Sequence, residues 1–546
     1  MYNLLTDSFF PVLLRSGYRS WICASELLSL SGEDDDFPVE FAWPRADFNI
    51  AAHELALGIA QLALDLRDED AWEDLWAAPL SRLAWEERLR PFAPAFELGG
   101  DGPRFLQAFE PLDGAPAPVE ALLIDTPGQN GQKKNADLLT HRARFPAFGL
   151  RAAAMALYTL QAFAPSGGAG NRTSMRGGGP LSALIVPLAA DGAPQPLARR
   201  LLANLVPMRA PKPERLAAAL PWLAPTLVSD KTAGRQVHPH DGDVEALQVY
   251  FGMPRRIRLV VSEERGRCPL SGEEELLVTG FVQKPWGVDY GPTWQHPLTP
   301  YRQQNETSEP FSVKAKSGRL SYRDWVGVAI GAEDQRLARP AEAVRLARGL
   351  RRSDLMPEGA AEPRLRVGGW AMNNMEAIAY LFAEEPLHLA PTEVEQKALD
   401  DLARRFAEAG SMAASCLRRA LKSALFGDGA SVALDKGVLD AAGATFIATT
   451  EAAFHSGLAG FLADPAQNEE AAARRFLGAL RRAALAEFEE RAPVPLDKPE
   501  DAGRIVAALA RLQGDLSGRT GAGGKLFSML KLPEPQRHKA KTGEPA

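Results

Sequence analysis

The chain has 546 residues, 46% of them hydrophobic, and a formal net charge of −7 at pH 7. This length exceeds what one ordinary hydrophobic core supports, so we expect two or more globular domains. The negative net charge argues against a protein that coats nucleic acid by bulk electrostatic attraction. Local basic loops are still compatible with contacts to nucleic acid at a few defined points.

The N-terminal stretch has none of the features of a targeting segment. Residues 1–17, MYNLLTDSFFPVLLRSG, lack a basic start, a long apolar core and a small-residue cleavage site, and no apolar run reaches membrane-spanning length. The three cysteines lie far apart and form no CxxC pair, which fits a reducing compartment. We therefore predict a cytoplasmic protein with no membrane partner.

Helical and strand-like segments alternate through the first two thirds of the chain. Apolar residues at helical spacing predict a helix over 49–66, and residues 148–163 are typical of a buried, alanine-rich helix. Between them, residues 121–141 read ALLIDTPGQNGQKKNADLLTH, a long polar connection with paired lysines. Loops of this kind often carry function.

A glycine-rich stretch follows the second helix. Residues 164–180 read APSGGAGNRTSMRGGGP, with six glycines and the two arginines Arg172 and Arg176. Glycine costs too much backbone entropy for a stable helix or central strand, but it lets bare backbone approach a phosphate or a groove edge. An ordinary flexible loop is the alternative, and no GK[ST] follows to make a P-loop.

Two further segments carry basic side chains on strands and turns. Residues 248–261, QVYFGMPRRIRLVV, alternate into a strand with Arg255, Arg256 and Arg258 in its middle. Lys284 directly precedes a proline, so its ammonium group is presented on a rigid turn. A solvated turn lysine is the alternative interpretation.

A paired-asparagine turn lies further along the chain. Residues 364–376, RLRVGGWAMNNME, predict a strand that ends in an amide-bearing turn, and we expect a short helix over 377–382. Paired asparagines usually make local turn hydrogen bonds. Amides are also the groups that bond base edges in the minor groove, where an adjacent apolar side chain can open a base step.

The last third of the chain is helical. We predict helices at about 393–425, 434–462, 469–490 and 500–516, and the short breaks between them favour an antiparallel four-helix bundle. Arginine pairs on the first and third helices predict either basic faces or ordinary solvated ones. The fold class is therefore α+β, with a mixed α/β domain over 1–385, the bundle over 386–518 and a disordered tail over 519–546.

No motif supports an enzyme, because GxSxG, HExxH and a recognisable paired-acid frame are all missing from the sequence. We predict no catalytic residue, no metal and no cofactor. The alternative is a metal-dependent phosphohydrolase or nuclease that uses the cluster HPHDGD, with His238, His240, Asp241 and Asp243, although a solvated loop is the favoured interpretation of that spacing. The residues alone leave the function open.

Several segments occur in a characteristic order from residue 1 to about 518. They read MYNLLTDSFFPV, TPGQNGQKKNAD, SGGAGNRTSMRGGGP, YFGMPRRIRL, VTGFVQKPWG, WQHPLTPY and GGWAMNNMEA, followed by the helical bundle. In this order they resemble the CasA family, the large subunit of the type I-E CRISPR interference complex Cascade. The resemblance implies a subunit that reads the protospacer-adjacent motif of duplex DNA from the minor groove and begins unwinding, while a guide RNA supplies sequence recognition.

The resemblance also assigns DNA-reading roles to individual residues. The family's glycine loop resembles 166–170, its lysine finger resembles Lys284, and its wedge turn resembles 373–376. The implied motif-reading residues are Gly168, Ala169, Gly170, Lys284, Asn373, Asn374, Met375 and Glu376. Met375 stands where the family pattern has a wedge glutamine; a methionine can still unstack bases, whereas the following acid should repel phosphate.

Residues 124–135 resemble a further loop of the family, which anchors the subunit on the 5′ handle of the guide RNA and on a neighbouring subunit. The residues implied there are Asp125, Thr126, Asn130, Lys133, Lys134 and Asn135. The implied partners are the backbone, handle-binding and small subunits of Cascade, the guide RNA, double-stranded target DNA and a helicase-nuclease. Some family members carry a cysteine-ligated zinc, but Cys268 stands alone, so we expect none; an architectural subunit that reads no motif is the remaining alternative.

Overall fold

The computed structural model describes residues 2–30, 36–133, 135, 139–141, 143–165, 167–168, 170–232, 234–332, 337–494 and 499–533. The chain divides into two compact units. Unit 1 holds 1–319 and 331–387, and unit 2 holds 320–330 and the chain from 388 onward. Within the described ranges, no helix has the length and apolar character needed to span a membrane.

The strands belong to unit 1 and form small sheets. They are β1 (Phe10–Leu14), β2 (Arg19–Ile22), β3 (Pro38–Phe41), β4 (Ala117–Pro118), β5 (Phe148–Gly149), β6 (Ser182–Val186), β7 (Gln236–Val237), β8 (Arg256–Arg267), β9 (Glu274–Lys284), β10 (Asp289–Tyr290), β11 (Tyr301–Arg302), β12 (Phe311–Ser312), β13 (Ala338–Arg339), β14 (Arg364–Asn373) and β15 (Glu376–Pro386). The sheet orders are β2-β1-β3, β10-β7, β12-β11-β13, β15-β14-β6 and β4-β9-β5, with β8 paired to β9. The long antiparallel hairpins β8–β9 and β14–β15 are the two that matter for the site.

The helices are distributed over both units. They are α1 (Ala24–Leu28), α2 (Ala46–Ala63), α3 (Glu69–Ala77), α4 (Arg82–Leu89), α5 (Gln129–Lys133), α6 (Leu150–Phe163), α7 (Leu197–Asn204), α8 (Leu216–Ala219), α9 (Gln248–Phe251), α10 (Tyr322–Trp325), α11 (Glu342–Arg348), α12 (Arg352–Leu355), α13 (Glu393–Phe426), α14 (Gly437–Ala463), α15 (Pro465–Arg491), α16 (Pro499–Leu516) and α17 (Gly521–Met529). The predicted α+β fold class is confirmed.

The core of unit 1 is built around α2 and α6. Both helices are buried along almost their whole length and pack against each other, as expected for helices that are apolar on all sides. The helices predicted over 49–66 and 148–163 are confirmed with shifted ends: α2 begins at Ala46 and ends at Ala63, and α6 begins at Leu150, after strand β5. α6 ends at Phe163 and delivers the chain directly to the glycine-rich stretch.

The helix predicted over 377–382 is wrong, because these residues belong to strand β15. β15 pairs with β14 from Glu376 to Pro386, with an irregularity opposite the Ala371–Met372 step. The segment EAIAYLFAEEP contains three alanines and three glutamates, which favour helix locally. Pairing with β14 along its full length overrides that weak local preference, although β15 is the edge strand of the sheet and is paired on one side.

Unit 2 is the helical bundle predicted from the sequence. α13 begins at a capping box in which Thr392 Oγ1 accepts from Glu395 N and Glu395 Oε2 accepts from Thr392 N, at 3.2 and 3.1 Å. Inside the bundle, the ring of Phe406 stacks on that of Phe476 with centroids 4.5 Å apart. Thus α13 and α15 meet through aromatic packing of their apolar stripes.

Two features of unit 2 differ from the expectation. Residues 320–330, which precede strand β14 in the chain, belong to this unit, and Tyr322 stacks on Phe454 at 4.8 Å. The expectation of disorder after residue 518 is wrong for α17, where Thr520 caps the helix and Leu526 and Phe527 are buried. Residues 534–546 lie outside the described part of the chain.

Candidate nucleic-acid interface

The glycine loop and the lysine-bearing strand end meet in unit 1. Trp286 N donates to Gly170 O at 2.7 Å, and Gln283 Nε2 donates to Asn171 Oδ1 at 2.6 Å. Lys284 lies between these two attachment points, at the last position of β9. The structure therefore brings together two segments that the sequence analysis had placed in one site only through the family resemblance.

The conformation of the loop requires glycine at its point of contact. Gly170 has φ +79°, and a Cβ on it would lie 2.6 Å from Cβ of Pro285, too close for any side chain. Gly168 has φ +85° and open space around it, so its backbone is exposed. Ser166 and Ala169 lie outside the described residues. Bare backbone is thus presented next to Lys284.

Arg255 supports the loop from the protein interior. It is 6% exposed, and Nη2 donates to Pro165 O at 2.5 Å. A Cβ on Gly167 would lie 2.7 Å from Arg255 Nη1, so this glycine permits the close approach. Burial lowers the pKa of Arg255 to about 10, which leaves it charged at neutral pH.

Arg176 lies in the glycine-rich stretch, yet its side chain is buried in the core of unit 1. Its guanidinium donates to both oxygens of Glu54 at 2.9 and 2.8 Å, and both side chains are almost fully buried. Arg172 is partly exposed but engaged: it donates to Ser229 and pairs with Asp289 at 3.3 Å. Neither guanidinium is free to bind an anion.

Lys284 differs from the arginines around it. Its side chain is partly exposed, and Nζ has no hydrogen bond or ion pair with any residue that the structure describes. Directly across the hairpin, Arg256 pairs with Glu110 at 2.6 Å, while Arg258 donates to Ala108 O at 2.9 Å. Among the described residues of this region, Lys284 is thus a partly exposed cation whose ammonium has no protein partner.

The paired asparagines form the tip of the β14–β15 hairpin. Asn373 pairs with Glu376, leaving Asn374 and Met375 as a two-residue turn. Asn374 has φ +55°, a conformation that asparagine tolerates better than most residues. Met375 is 48% exposed, so the tip presents an amide and an apolar side chain side by side.

This hairpin tip lies against the loop predicted to anchor the guide. Residues 124–128, Leu139 and residues 375–378 line one cleft of about 240 Å³. A Cβ on Gly131 would lie 3.3 Å from Glu376 Oε1, so the Glu376 carboxylate packs beside α5. The wedge turn and the anchoring loop are therefore neighbours, a placement that the sequence analysis did not predict.

Some residues of the anchoring loop serve the fold of unit 1. The Asp125 carboxylate accepts from Arg45 at 2.7 Å and from Thr140 at 2.7 Å, and Thr126 Oγ1 donates to Glu120 O at 2.6 Å. Lys133 is exposed at the end of α5, and Asn135 follows with φ +52°. The side chain of Asn130 and all of Lys134 lie outside what the structure describes.

The histidine–aspartate cluster is arranged around an arginine. Arg235 forms ion pairs with both Asp241 and Asp243, and a hydrogen bond from the His238 backbone helps to lower the pKa of Asp241. His238 Nδ1 lies 3.1 Å from Thr293 Oγ1. In the described ranges, no group of three or more histidine, cysteine or acidic side chains is arranged to hold a metal ion. The metal-dependent hydrolase alternative thus has no geometric support.

The arginine pairs of the bundle are largely engaged within unit 2. Arg405 pairs with Glu469 at 2.5 Å, Arg474 with Glu470 at 2.6 Å, and Arg481 donates to Leu516 O at 2.8 Å. These contacts occupy three of the side chains for which the sequence left basic or solvated faces open.

The hairpin turn allows a direct test of its backbone. Asn374→Gly is expected to leave the hairpin unchanged, whereas Asn374→Val should destabilise it by about 1–2 kcal/mol, because a β-branched residue is strained at φ +55°. Hydrogen–deuterium exchange of β14 and β15 in the full chain measures both effects. Equal exchange in the two variants would show that the turn does not need its positive φ.

The chain is similar to known proteins in both sequence and fold. Residues 3–486 match the family described as CRISPR-associated protein Cse1. CasA from Thermus thermophilus is 20% identical with a TM-score of 0.68, covering 94% of this chain and 99% of that one. Cse1 from Thermobifida fusca is 16% identical with a TM-score of 0.69, covering 97% and 98%. A chain of a CRISPR RNA-guided surveillance complex is 15% identical with a TM-score of 0.69, covering 94% and 99%.

Proposed function

Because this chain belongs to the CRISPR-associated protein Cse1 family, we propose that it is the motif-reading large subunit of a type I-E RNA-guided surveillance complex. In this role it recognises the protospacer-adjacent motif of double-stranded DNA from the minor groove and initiates unwinding. Base pairing with the guide RNA then reads the rest of the target. The family assignment confirms the resemblance on which the sequence analysis relied, and the shared fold with a chain of such a complex supports the assembly.

One observation carries the DNA-reading part of this proposal. The loop that exposes the Gly168 backbone is bonded to the residues on either side of Lys284, whose ammonium has no partner among the described residues. A minor groove is narrow, strongly negative and lined with acceptors, so it accommodates a lysine and closely approaching backbone N–H groups. Larger side chains on the loop would keep the backbone away from the base pairs.

The hairpin tip supplies the remaining groups. The amide of Asn374 offers both a donor and an acceptor to base edges, and Met375 is placed to enter a base step as an apolar wedge. The acid that follows should repel phosphate, but its carboxylate packs beside Gly131 of α5. This packing supports a wedge turn that tolerates Glu376.

The remaining roles follow from the family and complete the proposal. Exposed Lys133 and the rest of the α5 loop would contact the 5′ handle of the guide RNA and the neighbouring backbone subunit. Other partners would be the handle-binding and small subunits and the helicase-nuclease, which degrades the target. The chain itself would act in the cytoplasm as a recognition subunit without catalysis.

The decisive experiment measures binding of the assembled complex, with its guide, to target duplexes whose flanking trinucleotide is randomised. Salt must be held constant, because phosphate contacts make the affinity salt-dependent. We expect the affinity to depend strongly on the flank. The difference in binding free energy between favoured and unfavoured flanks should fall by about 1–3 kcal/mol in Asn374→Gly, which removes the amide while keeping the turn conformation. Equal binding to all flanks would establish instead an architectural subunit that reads no motif.

A further inference from the structure

Two hydrogen bonds connect the glycine loop to the end of β9 and to the residues that follow it, one on each side of Lys284. Gln283 precedes the lysine and donates to Asn171, while Trp286 follows it and donates through its backbone to Gly170. Only the first of these bonds is made by side chains alone. It joins residues 112 positions apart in the chain.

The amide of Asn171 is fixed in orientation by its own loop. Asn171 Nδ2 donates to Gly167 O at 2.7 Å, and the backbone N–H donates to Gly168 O at 3.1 Å. With the amide nitrogen engaged inside the loop, Oδ1 is directed to Gln283. The bond from Gln283 to Asn171 thus links the internally hydrogen-bonded loop to strand β9.

The strand end needs such a constraint, because its backbone is strained. Trp286 has φ +65°, which is uncommon for a bulky residue. The Arg172 guanidinium lies 5.4 Å from the Trp286 ring centre and donates to Ser229, whose Oγ donates to Gly287 O at 2.6 Å. These contacts restrain the chain after Lys284, whereas Gln283 restrains it before.

We propose that Asn171 and Gln283 are positioning residues that hold the glycine loop and Lys284 in one register, so that both enter the groove together. This inference rests on the proposed function. Neither side chain needs to touch DNA for its loss to weaken motif reading. If the loop moved relative to the lysine, the glycine backbone and the Lys284 ammonium could no longer contact the same flanking base pairs at the same time.

The test uses the assembled complex with its guide and duplexes carrying favoured and unfavoured flanks. Gln283→Met keeps the length of the side chain but removes the amide, and it should lower the ratio of the two affinities about three- to tenfold, the effect of one net hydrogen bond. The salt dependence of binding should stay unchanged, because no charge is removed. Thr279→Val, at an exposed position of the same strand, is the matched control and should retain the full ratio.

Two further variants separate positioning from a general structural role. The exchange Asn171→Gln with Gln283→Asn keeps the total side-chain length across the bond but shifts the amide that donates to Gly167, so it should restore part of the ratio lost in Gln283→Met. In a Lys284→Ala background, Gln283→Met should cause no further loss of flank preference. If Gln283→Met acted by unfolding the protein instead, its effect would add to that of Lys284→Ala.

The outcomes distinguish this inference from the function on which it depends. If Gln283→Met retains the full flank preference while Lys284→Ala loses it, the positioning role is wrong and the motif reader stands. An additive effect of Gln283→Met in the Lys284→Ala background would also overturn the positioning role. If the wild-type complex shows no flank preference, the proposed function itself fails.

Discussion

Replacing Arg176 with alanine is expected to lower the free energy of unfolding by about 3–5 kcal/mol, the cost of leaving a buried charge without its partner. The Glu54 carboxylate would remain in the core of unit 1 with only hydroxyl and imidazole neighbours: Ser182 donates to it at 2.5 Å, and His296 Nε2 lies 3.9 Å away. In the wild-type chain, burial and the charge of Arg176 hold the pKa of His296 well below its usual range, so the buried ion pair is formed by Arg176 and Glu54 alone. Denaturant unfolding of the full chain measures the loss.

The control for this experiment is an arginine whose ion pair is exposed. Arg67 pairs with Asp65 at the surface, with both side chains at least 40% exposed, and Arg67→Ala should cost at most about 1 kcal/mol. Combining Arg176→Met with Glu54→Gln should cost less than the sum of the single changes, because no unpaired charge stays buried. A loss below about 1 kcal/mol for Arg176→Ala would contradict the structural role assigned to this arginine.

Replacing Lys284 with methionine is expected to weaken flank discrimination by about 1–3 kcal/mol, the range for one well-placed groove contact. The same change should reduce the slope of log affinity against log salt by about 1, since one cation fewer displaces counterions from the DNA. This double effect follows from the partly exposed ammonium, for which the described residues supply no partner. Binding of the assembled complex to flank variants at several salt concentrations measures both quantities.

Two variants make the Lys284 result specific. Lys284→Arg keeps the charge and should keep the salt slope, while its wider head group should still impair discrimination. Lys212→Met removes the charge of another exposed lysine of unit 1 and should leave flank preference intact. If Lys284→Met and Lys212→Met behave alike, Lys284 acts through bulk charge and not as a groove contact.

The glycine loop shows how far sequence reasoning reached within a single site. Its composition predicted exposed backbone, and the positive φ values of Gly168 and Gly170 agree with that prediction. The same reasoning treated Arg176 as a nearby cation, yet its partner Glu54 lies 122 residues away in the chain. Local composition records what a backbone can do, whereas it contains no information on which distant charge a side chain meets.

Strand β15 shows the same limit for secondary structure. The alanine-rich segment after Glu376 favours a helix when taken alone, and only its pairing with β14 makes it a strand. The helices of unit 2 were predicted within a few residues, because their apolar periodicity and their glycine and proline breaks are local signals. In α17, short length and many glycines hid a helix that tertiary packing of Leu526 and Phe527 stabilises.

The sequence by itself determined the α+β class, the long helices of unit 2, the exposed glycine backbone and, through the order of its motifs, the family. Only the tertiary structure decided that the glycine loop is bonded to both sides of Lys284, that Arg176 is buried on Glu54 and that the hairpin tip lies beside the α5 loop. The physical reason is the range of the interactions. Periodicity and turn chemistry act over a few residues, while hydrogen bonds and ion pairs between distant segments exist only after the chain has packed.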